Sequence, residues 1–157
     1  MRLHFEQLAR QAERELARRL RATNAAKLFG FTLEAAEPGR AVLRMQVRRR
    51  HIQVHGVVHG GILAALADTA GALGIYLMVP RGSRLATIEM KINYLEPVEK
   101  GVLLAEGKVL RRGRNLAVSE CDIHSEDHRL VAKALITYSI GKVAGSRRAR
   151  QGQARRR

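Results

Sequence analysis

Cysteine, tryptophan and proline are scarce in this chain of 157 residues, which has one, none and three of them. A single cysteine cannot form an internal disulfide, so the sequence predicts a protein of a reducing compartment, and we expect a cytoplasmic location. Cys121 lies in an alternating apolar segment without a motif that would activate a thiol, which favours a small core residue over a nucleophile.

Acidic residues are absent from the last segment, 144–157, which holds six arginines and leaves +9 of the net charge of +15 on the remaining chain. A Gly/Gln/Arg segment cannot bury a core, so we predict a disordered basic tail. Charge alone would let it hold nucleic acid, but interleaved aromatic residues and a known nucleic-acid module are missing. We therefore expect a solvated tail and disfavour a nucleic-acid partner.

Long apolar runs are also rare, and the only candidate membrane span is 60–79. It contains Asp68, is rich in Ala and Gly, and leads into an alternating strand pattern, so we expect no membrane span there. The N-terminus carries Glu6, Glu13 and Glu15 and has no continuous apolar run, which makes it a poor signal peptide.

Apolar periodicity predicts an amphipathic helix over 2–22 and a second helix over about 60–78 that is apolar on every side. In the third predicted strand, Ala86, Ile88 and Met90 are expected on one face, with Thr87 and Glu89 on the other. Alternating patterns predict six strands. They lie at 31–37, 41–47, 86–94, 101–111, 115–124 and 129–141.

This order of elements predicts an α+β fold, in which an antiparallel sheet of about six strands wraps around one long central helix. A helix that is apolar all round must be enclosed. The open edges and outer face of such a sheet favour association with a second copy of the chain. The predicted organisation is an N-terminal helix at 1–24, a domain at 25–143 and the basic tail at 144–157.

The start of the long helix is marked by His59, Gly60 and Gly61. Glycine lets backbone N–H groups approach a ligand, and those of a first helical turn have no intrahelical partner. Together with the helix dipole, Gly60 and Gly61 offer a site for a carbonyl oxygen that gains negative charge. The same glycines also fit a tight loop-to-helix corner, and the residues alone favour neither interpretation.

Asp68 lies nine residues after His59, in mid-helix, where it cannot cap an end. Burying an unpaired carboxylate costs several kcal/mol, so an acid at this position requires an explanation, either structural or functional. A structural hydrogen bond with Thr69 or a strand hydroxyl is one reason; nucleophilic or general-base chemistry is the one we favour. Nine helical residues span about 13.5 Å. Gly60 and Asp68 of one chain therefore should not reach one carbonyl, and their site should be shared between subunits with antiparallel helices.

A family resemblance covers about residues 25–142 and is carried by the segments HIQVHGVV, HGGILAALADTA and LATIEMKINYLEPV. The chain resembles the hotdog-fold acyl-CoA thioesterases, most of all the phenylacetate-pathway type, with 4-hydroxybenzoyl-CoA thioesterase as a relative. The resemblance implies hydrolysis of an acyl- or aryl-CoA thioester to free acid and CoA. It also implies an obligate homodimer with active sites at the interface, a dimer of dimers, and no cofactor or metal.

The resemblance implies individual roles. Gly60 would give its N–H to the thioester oxygen, and Asp68 of the partner subunit would be the nucleophile or general base. Gln53 stands where many relatives have Asn and could assist the carbonyl, while Thr87 matches a Ser or Thr that orients water. His59 is expected to stabilise the loop rather than act as a base. Gln53 as a plain loop residue and Thr87 as a strand former remain open alternatives.

Substrate binding is expected to involve Gly61 and Val57 near the thioester. Arg111, Arg112 and Arg114 in RRGRNLA resemble a family turn near the CoA nucleotide, since guanidinium matches phosphate geometry. A charged hairpin turn explains these arginines equally well.

Two other functions are disfavoured. His51, His55 and His59 recur at intervals of four, which on a helix would suggest a metal site, but Gly56 and the valines argue against a helix there.

A non-catalytic acyl-CoA-binding protein is possible on this fold. Asp68 argues against it, because a ligand sensor has no need for a buried acid.

Overall fold

A computed structural model describes residues 2–141, with side chains from residue 11 onward; the predicted tail at 144–157 lies outside the described residues. The described chain forms three helices and six strands, with one 3-10 turn before the long helix. They are α1 (Arg2–Ala22), α2 (Asn24–Phe29), β1 (Phe31–Glu37), β2 (Arg40–Gln46), the turn (Arg49–His51), α3 (Gly60–Tyr76), β3 (Arg84–Tyr94), β4 (Val102–Arg112), β5 (Leu116–Ser125) and β6 (Leu130–Gly141).

The six strands form one antiparallel sheet in the order β1-β2-β4-β5-β6-β3, and α3 packs across its inner face. The predicted α+β class, with a six-stranded sheet around a long helix, is confirmed. Helix α3 ends at Tyr76, two residues before the predicted end. Helix α2 was not predicted, because six residues are too few to show a helical period.

Close contact between α3 and the sheet depends on small residues. A Cβ added at Gly107 of β4 would lie 2.5 Å from the backbone carbon and oxygen of Ala70. On the helix side, a Cβ at Gly71 would lie 2.5 Å from the Tyr138 hydroxyl. Residues with larger side chains at these positions would push α3 off the sheet, so the two glycines fix its depth.

The core is made from α3, the inner face of the sheet and α1, whose Leu16 and Leu20 are buried. Cys121 is fully buried, and burial raises the pKa of its thiol, so the prediction of a core residue is confirmed. No helix within 2–141 combines the length and hydrophobicity needed to cross a membrane.

The expectation that α3 is enclosed on every side holds only in part for one chain. Its sheet-facing side is buried, but a stripe on the opposite side is half-buried. The stripe follows helical spacing and consists of Ala64, Ala65, Asp68, Thr69, Ala72 and Tyr76. The acid of α3 therefore stands on the side that the sheet leaves open.

The predicted faces of β3 are wrong at its first half. The pairing with β6 shifts between Thr87 and Glu89, so one extra residue is inserted into β3. Such a bulge reverses the alternation of side chains. As a result Ile88 is exposed, whereas Thr87 turns towards α3 and Met90 keeps its contact with the core.

Candidate active site

The start of α3 is held by two histidines. His59 is the N-cap, and its Nδ1 accepts a 2.9 Å hydrogen bond from the Gly61 N–H. The His59 N–H donates to the carbonyl of His51, which is buried. Burial, together with the charges of Arg50 and Arg48, lowers the pKa of the His51 side chain, so this buried imidazole is neutral at physiological pH.

Gly60 presents the first N–H of the helix. Its carbonyl accepts a 3.0 Å hydrogen bond from the Tyr94 hydroxyl, and a Cβ at Gly60 would lie 3.0 Å from the Tyr94 ring. No backbone hydrogen bond found within 2–141 uses the Gly60 N–H, as expected for a first helical turn. Gly60 also lines a cavity of about 330 Å³ together with Val57, Leu63 and Tyr94.

The loop before α3 places Gln53 by a tight turn, in which Gly56 has a φ of +84°. The Gln53 N–H donates to the Val57 carbonyl, and its side-chain Oε1 accepts a 2.9 Å hydrogen bond from the His55 N–H. The oxygen of the amide is thereby engaged, and its NH₂ group remains as a donor. Because this segment is a loop, His51, His55 and His59 do not share a helical face.

Asp68 is held by contacts from two strands. Thr87 Oγ1 of β3 donates a 2.7 Å hydrogen bond to the Asp68 carboxylate, and the Tyr138 hydroxyl of β6 donates a 2.7 Å hydrogen bond to the Asp68 backbone carbonyl. Burial and the nearby Asp68 charge raise the pKa of Tyr138, so its hydroxyl remains a donor. Asp68 and Thr87 line a second cavity, of about 200 Å³.

The two cavities share no lining residue. Gly60, at the start of α3, belongs to the larger one, and Asp68, two turns later, belongs to the smaller one. One chain therefore presents two separate candidate half-sites, one with amide donors and one with a carboxylate. This arrangement agrees with the helical distance estimated from the sequence.

The arginine segment lies near the other end of α3. Arg111 and Arg112 end β4, Arg114 lies in the turn that follows, and all three are exposed. The preceding Val109 donates its N–H to Gly39, which in turn donates to the carbonyl of Gly74. Since Gly74 lies fourteen residues after Gly60, or about 21 Å along a helix, the arginines are remote from the Gly60 half-site of the same chain.

Several site residues were not found from the sequence. Tyr94 and Tyr138 were assigned only as strand residues, yet both hold backbone atoms of α3. Arg19 and Leu20 of α1, and Thr23 directly after it, line the Asp68 cavity, although the sequence predicts α1 as a segment separate from the domain. The amphipathic pattern of α1 indicates that Leu20 is buried, but not which part of the fold it packs against.

Known proteins resemble this chain in sequence. A model of the thioesterase superfamily matches residues 55–132. A protein of Saccharolobus solfataricus named as a candidate esterase is 39% identical over 104 residues, which cover 66% of this chain and 74% of the relative. Acyl-coenzyme A thioesterase 13 of Homo sapiens is 29% identical over 135 residues, covering 83% and 96%.

Solved structures give the same result. A thioesterase from Haemophilus influenzae superposes with a TM-score of 0.75 at 29% identity, covering 80% of this chain and 88% of that one. The phenylacetic acid degradation protein PaaI from Thermus thermophilus gives 0.66 at 29% identity, covering 72% and 95%. The chain belongs to the thioesterase superfamily, with its hotdog fold, and is a thioester hydrolase.

Proposed function

We propose that this enzyme is an acyl-CoA thioesterase that hydrolyses an acyl- or aryl-CoA thioester to the free acid and CoA, and that it acts as an obligate homodimer. The observation that carries the proposal is the separation of the two half-sites on α3, Gly60 in one cavity and Asp68 in the other. The acyl-CoA thioesterase of Homo sapiens among its relatives supports the substrate class.

In the proposed site, the Gly60 N–H of one subunit binds the thioester oxygen, and the amide of Gln53 assists it. These donors stabilise the negative charge that grows on the oxygen as the carbonyl is attacked. Gly61 acts indirectly, because its N–H is given to His59 and caps the helix. Val57 contributes apolar surface beside the thioester.

Asp68 of the partner subunit supplies the second half. As a general base its carboxylate takes a proton from water while the water oxygen bonds to the acyl carbon; as a nucleophile it forms an anhydride that water then opens. In either case the carbon–sulfur bond breaks, the CoA thiolate leaves and takes up a proton, and the free acid remains. Thr87 orients the carboxylate by its hydrogen bond to Oδ1.

The surfaces of one chain support this assembly. Half-buried residues of α3 stand on its open side, and β3 is an edge strand with Ile88 exposed. Two antiparallel copies of α3 would bring Gly60 of one chain to Asp68 of the other. The exposed Leu110, Leu116 and Leu135 are suited to a further contact, in a dimer of dimers.

Two further assignments complete the proposal. Arg111, Arg112 and Arg114 bind the phosphates of CoA, which their exposure and positive charge support. The enzyme works in the cytoplasm, which is supported by its single, buried cysteine.

The test is Asp68→Asn, assayed on a panel of aliphatic and aryl acyl-CoAs with a thiol reagent. We expect turnover to fall by about 10²- to 10⁴-fold, the usual contribution of a general base, with CoA binding and the circular dichroism spectrum retained. Full activity in a folded Asp68→Asn enzyme would contradict the assignment. Wild-type protein that binds CoA but hydrolyses no member of the panel would favour the non-catalytic alternative for this substrate class.

A further inference from the structure

A third cavity, of about 240 Å³, lies next to the Asp68 cavity, between α1 and the end of α3. This third cavity and the Asp68 cavity have two lining residues in common, Arg19 of α1 and Tyr76 of α3. The Arg19 Cζ lies 3.4 Å from the centroid of the Tyr76 ring. This stack of a planar guanidinium on an aromatic face therefore forms the wall between the two spaces.

The Asp68 cavity has the chemistry of an acyl pocket beyond the reacting carbon. Away from Asp68 and Thr87 its walls include Leu20, Ala72 and Leu73. Its volume of about 200 Å³ exceeds the roughly 150 Å³ of an engineered cavity that binds benzene. A phenyl-sized group or a short aliphatic chain fits there, and a long chain does not.

The neighbouring cavity continues in the same chemistry. Ala12, Leu16, Leu77 and Val79 give it apolar walls, and its lining also includes the polar residues Glu15 and Arg81. Joined to the Asp68 cavity it would more than double the available volume. The Arg19–Tyr76 stack is thus placed where it limits how far an acyl chain extends.

We propose that the Arg19–Tyr76 stack closes the distal end of the acyl pocket and sets the upper limit of acyl length, so that α1 is a specificity element. The proposal rests on the proposed function of Asp68. A substrate whose chain ends before the stack is accommodated, whereas a longer chain must displace the Arg19 side chain from the ring. Removing the guanidinium joins the two cavities and admits longer chains.

The test uses Arg19→Ala and a series of straight-chain acyl-CoAs from four to sixteen carbons. For chains longer than the wild-type optimum, we expect the kcat/KM relative to that of the four-carbon substrate to rise about tenfold or more, the order that one added methylene makes in a shaped pocket. Arg19→Lys, which keeps the charge but not the planar stack, should shift the profile in the same direction. Tyr76→Phe, which keeps the ring, should preserve the wild-type profile.

The matched control is Arg21→Ala, an exposed arginine of the same helix that lines neither cavity. It should leave the length profile unchanged. An Arg19→Ala profile with the wild-type optimum, or one in which all lengths change by the same factor, overturns the proposal.

A binding measurement separates this proposal from the proposed function. Non-hydrolysable alkyl-CoA thioethers of the same lengths are titrated calorimetrically into wild-type and Arg19→Ala protein. If no acyl-CoA is hydrolysed but Arg19→Ala gains affinity selectively for the long thioethers, the proposed reaction fails and the length limit stands. Equal affinities across the series in both proteins, or no binding of any thioether, overturn the length limit itself.

Discussion

The Thr87 hydroxyl of β3 donates a 2.7 Å hydrogen bond to Oδ1 of Asp68 on α3. This contact joins the half-buried acid of the helix to the edge strand of the sheet. It fixes one carboxylate oxygen and leaves the other for a water molecule or an acyl carbon. A structural hydrogen bond to a strand hydroxyl and a catalytic role were two alternatives for Asp68, and the contact is compatible with both because an oriented carboxylate needs such a partner.

The first prediction tests whether the Thr87 hydroxyl positions Asp68 for catalysis or only stabilises the fold. Thr87→Val removes the hydroxyl at similar size, and we expect kcat to fall about 10- to 100-fold with a much smaller change in KM, because about 1.5–3 kcal/mol is typical of a hydrogen bond to a charged group. Thr87→Ser keeps the donor and should restore most of the rate. Steady-state kinetics of both variants checks this; unchanged kcat in Thr87→Val, or equal loss in Thr87→Ser, would show that the hydroxyl does not position Asp68 for catalysis.

The role of Thr87 could be suggested from the sequence, but its geometry could not. Strict two-residue alternation puts Thr87 on the face opposite Met90, and the structure puts both on the side of α3. The bulge between Thr87 and Glu89 causes the difference, and it depends on pairing with β6 rather than on any residue type in β3. The alternation of residues within one strand cannot reveal a bulge, because a residue is extra only in relation to the strand that it pairs with.

Features that depend on local chemistry were predictable. The N-terminus of α3 at Gly60 follows from the His-Gly-Gly segment, and the mid-helix acid at Asp68 is evident from its apolar neighbours. The contribution of α1 was not predictable, because its amphipathic pattern shows that Leu16 and Leu20 are buried but not against what. In the sequence, nothing distinguishes Arg19 from the other arginines of α1. Only the structure does, by placing its guanidinium over the Tyr76 ring.

The second prediction tests whether the active site is shared. A Gln53→Ala/Gly60→Pro chain lacks the amide donors, since proline has no N–H; proline is common at a first helical position, and here its Cβ requires the Tyr94 ring to shift. An Asp68→Ala chain lacks the carboxylate. Each variant alone should be inactive, whereas an equal mixture after subunit exchange should recover about a quarter of the wild-type activity, because half of the dimers are mixed and each has one intact site.

Differently tagged chains allow the mixed dimers of this experiment to be isolated. Purified mixed dimers should have about half of the wild-type activity, with the wild-type KM. Mixed dimers that assemble but remain inactive would argue against a site that combines Gly60 of one subunit with Asp68 of its partner. An Asp68→Asn chain in place of Asp68→Ala serves as a second pairing that preserves side-chain volume.

The third prediction concerns the depth at which α3 sits on the sheet. In Gly107→Ala the new methyl group would meet the backbone of Ala70, which cannot rotate away as a side chain would. We expect the free energy of unfolding to fall by about 3 kcal/mol, the upper part of the usual cost of overpacking. Urea denaturation at a fixed protein concentration measures this, since the stability of the proposed dimer would depend on concentration.

Gly141→Ala is the matched control for Gly107→Ala, because the nearest atoms to its added Cβ are at an ordinary 3.4 Å. Its stability should change by less than about 1 kcal/mol, and in the favourable direction, since alanine is less costly than glycine in a strand. Asp68 lies two residues before Ala70, so displacement of the helix in Gly107→Ala should also lengthen the contact with Thr87 and lower kcat. If Gly107→Ala were as stable and as active as Gly141→Ala, the close packing of α3 on β4 would not be what positions the carboxylate.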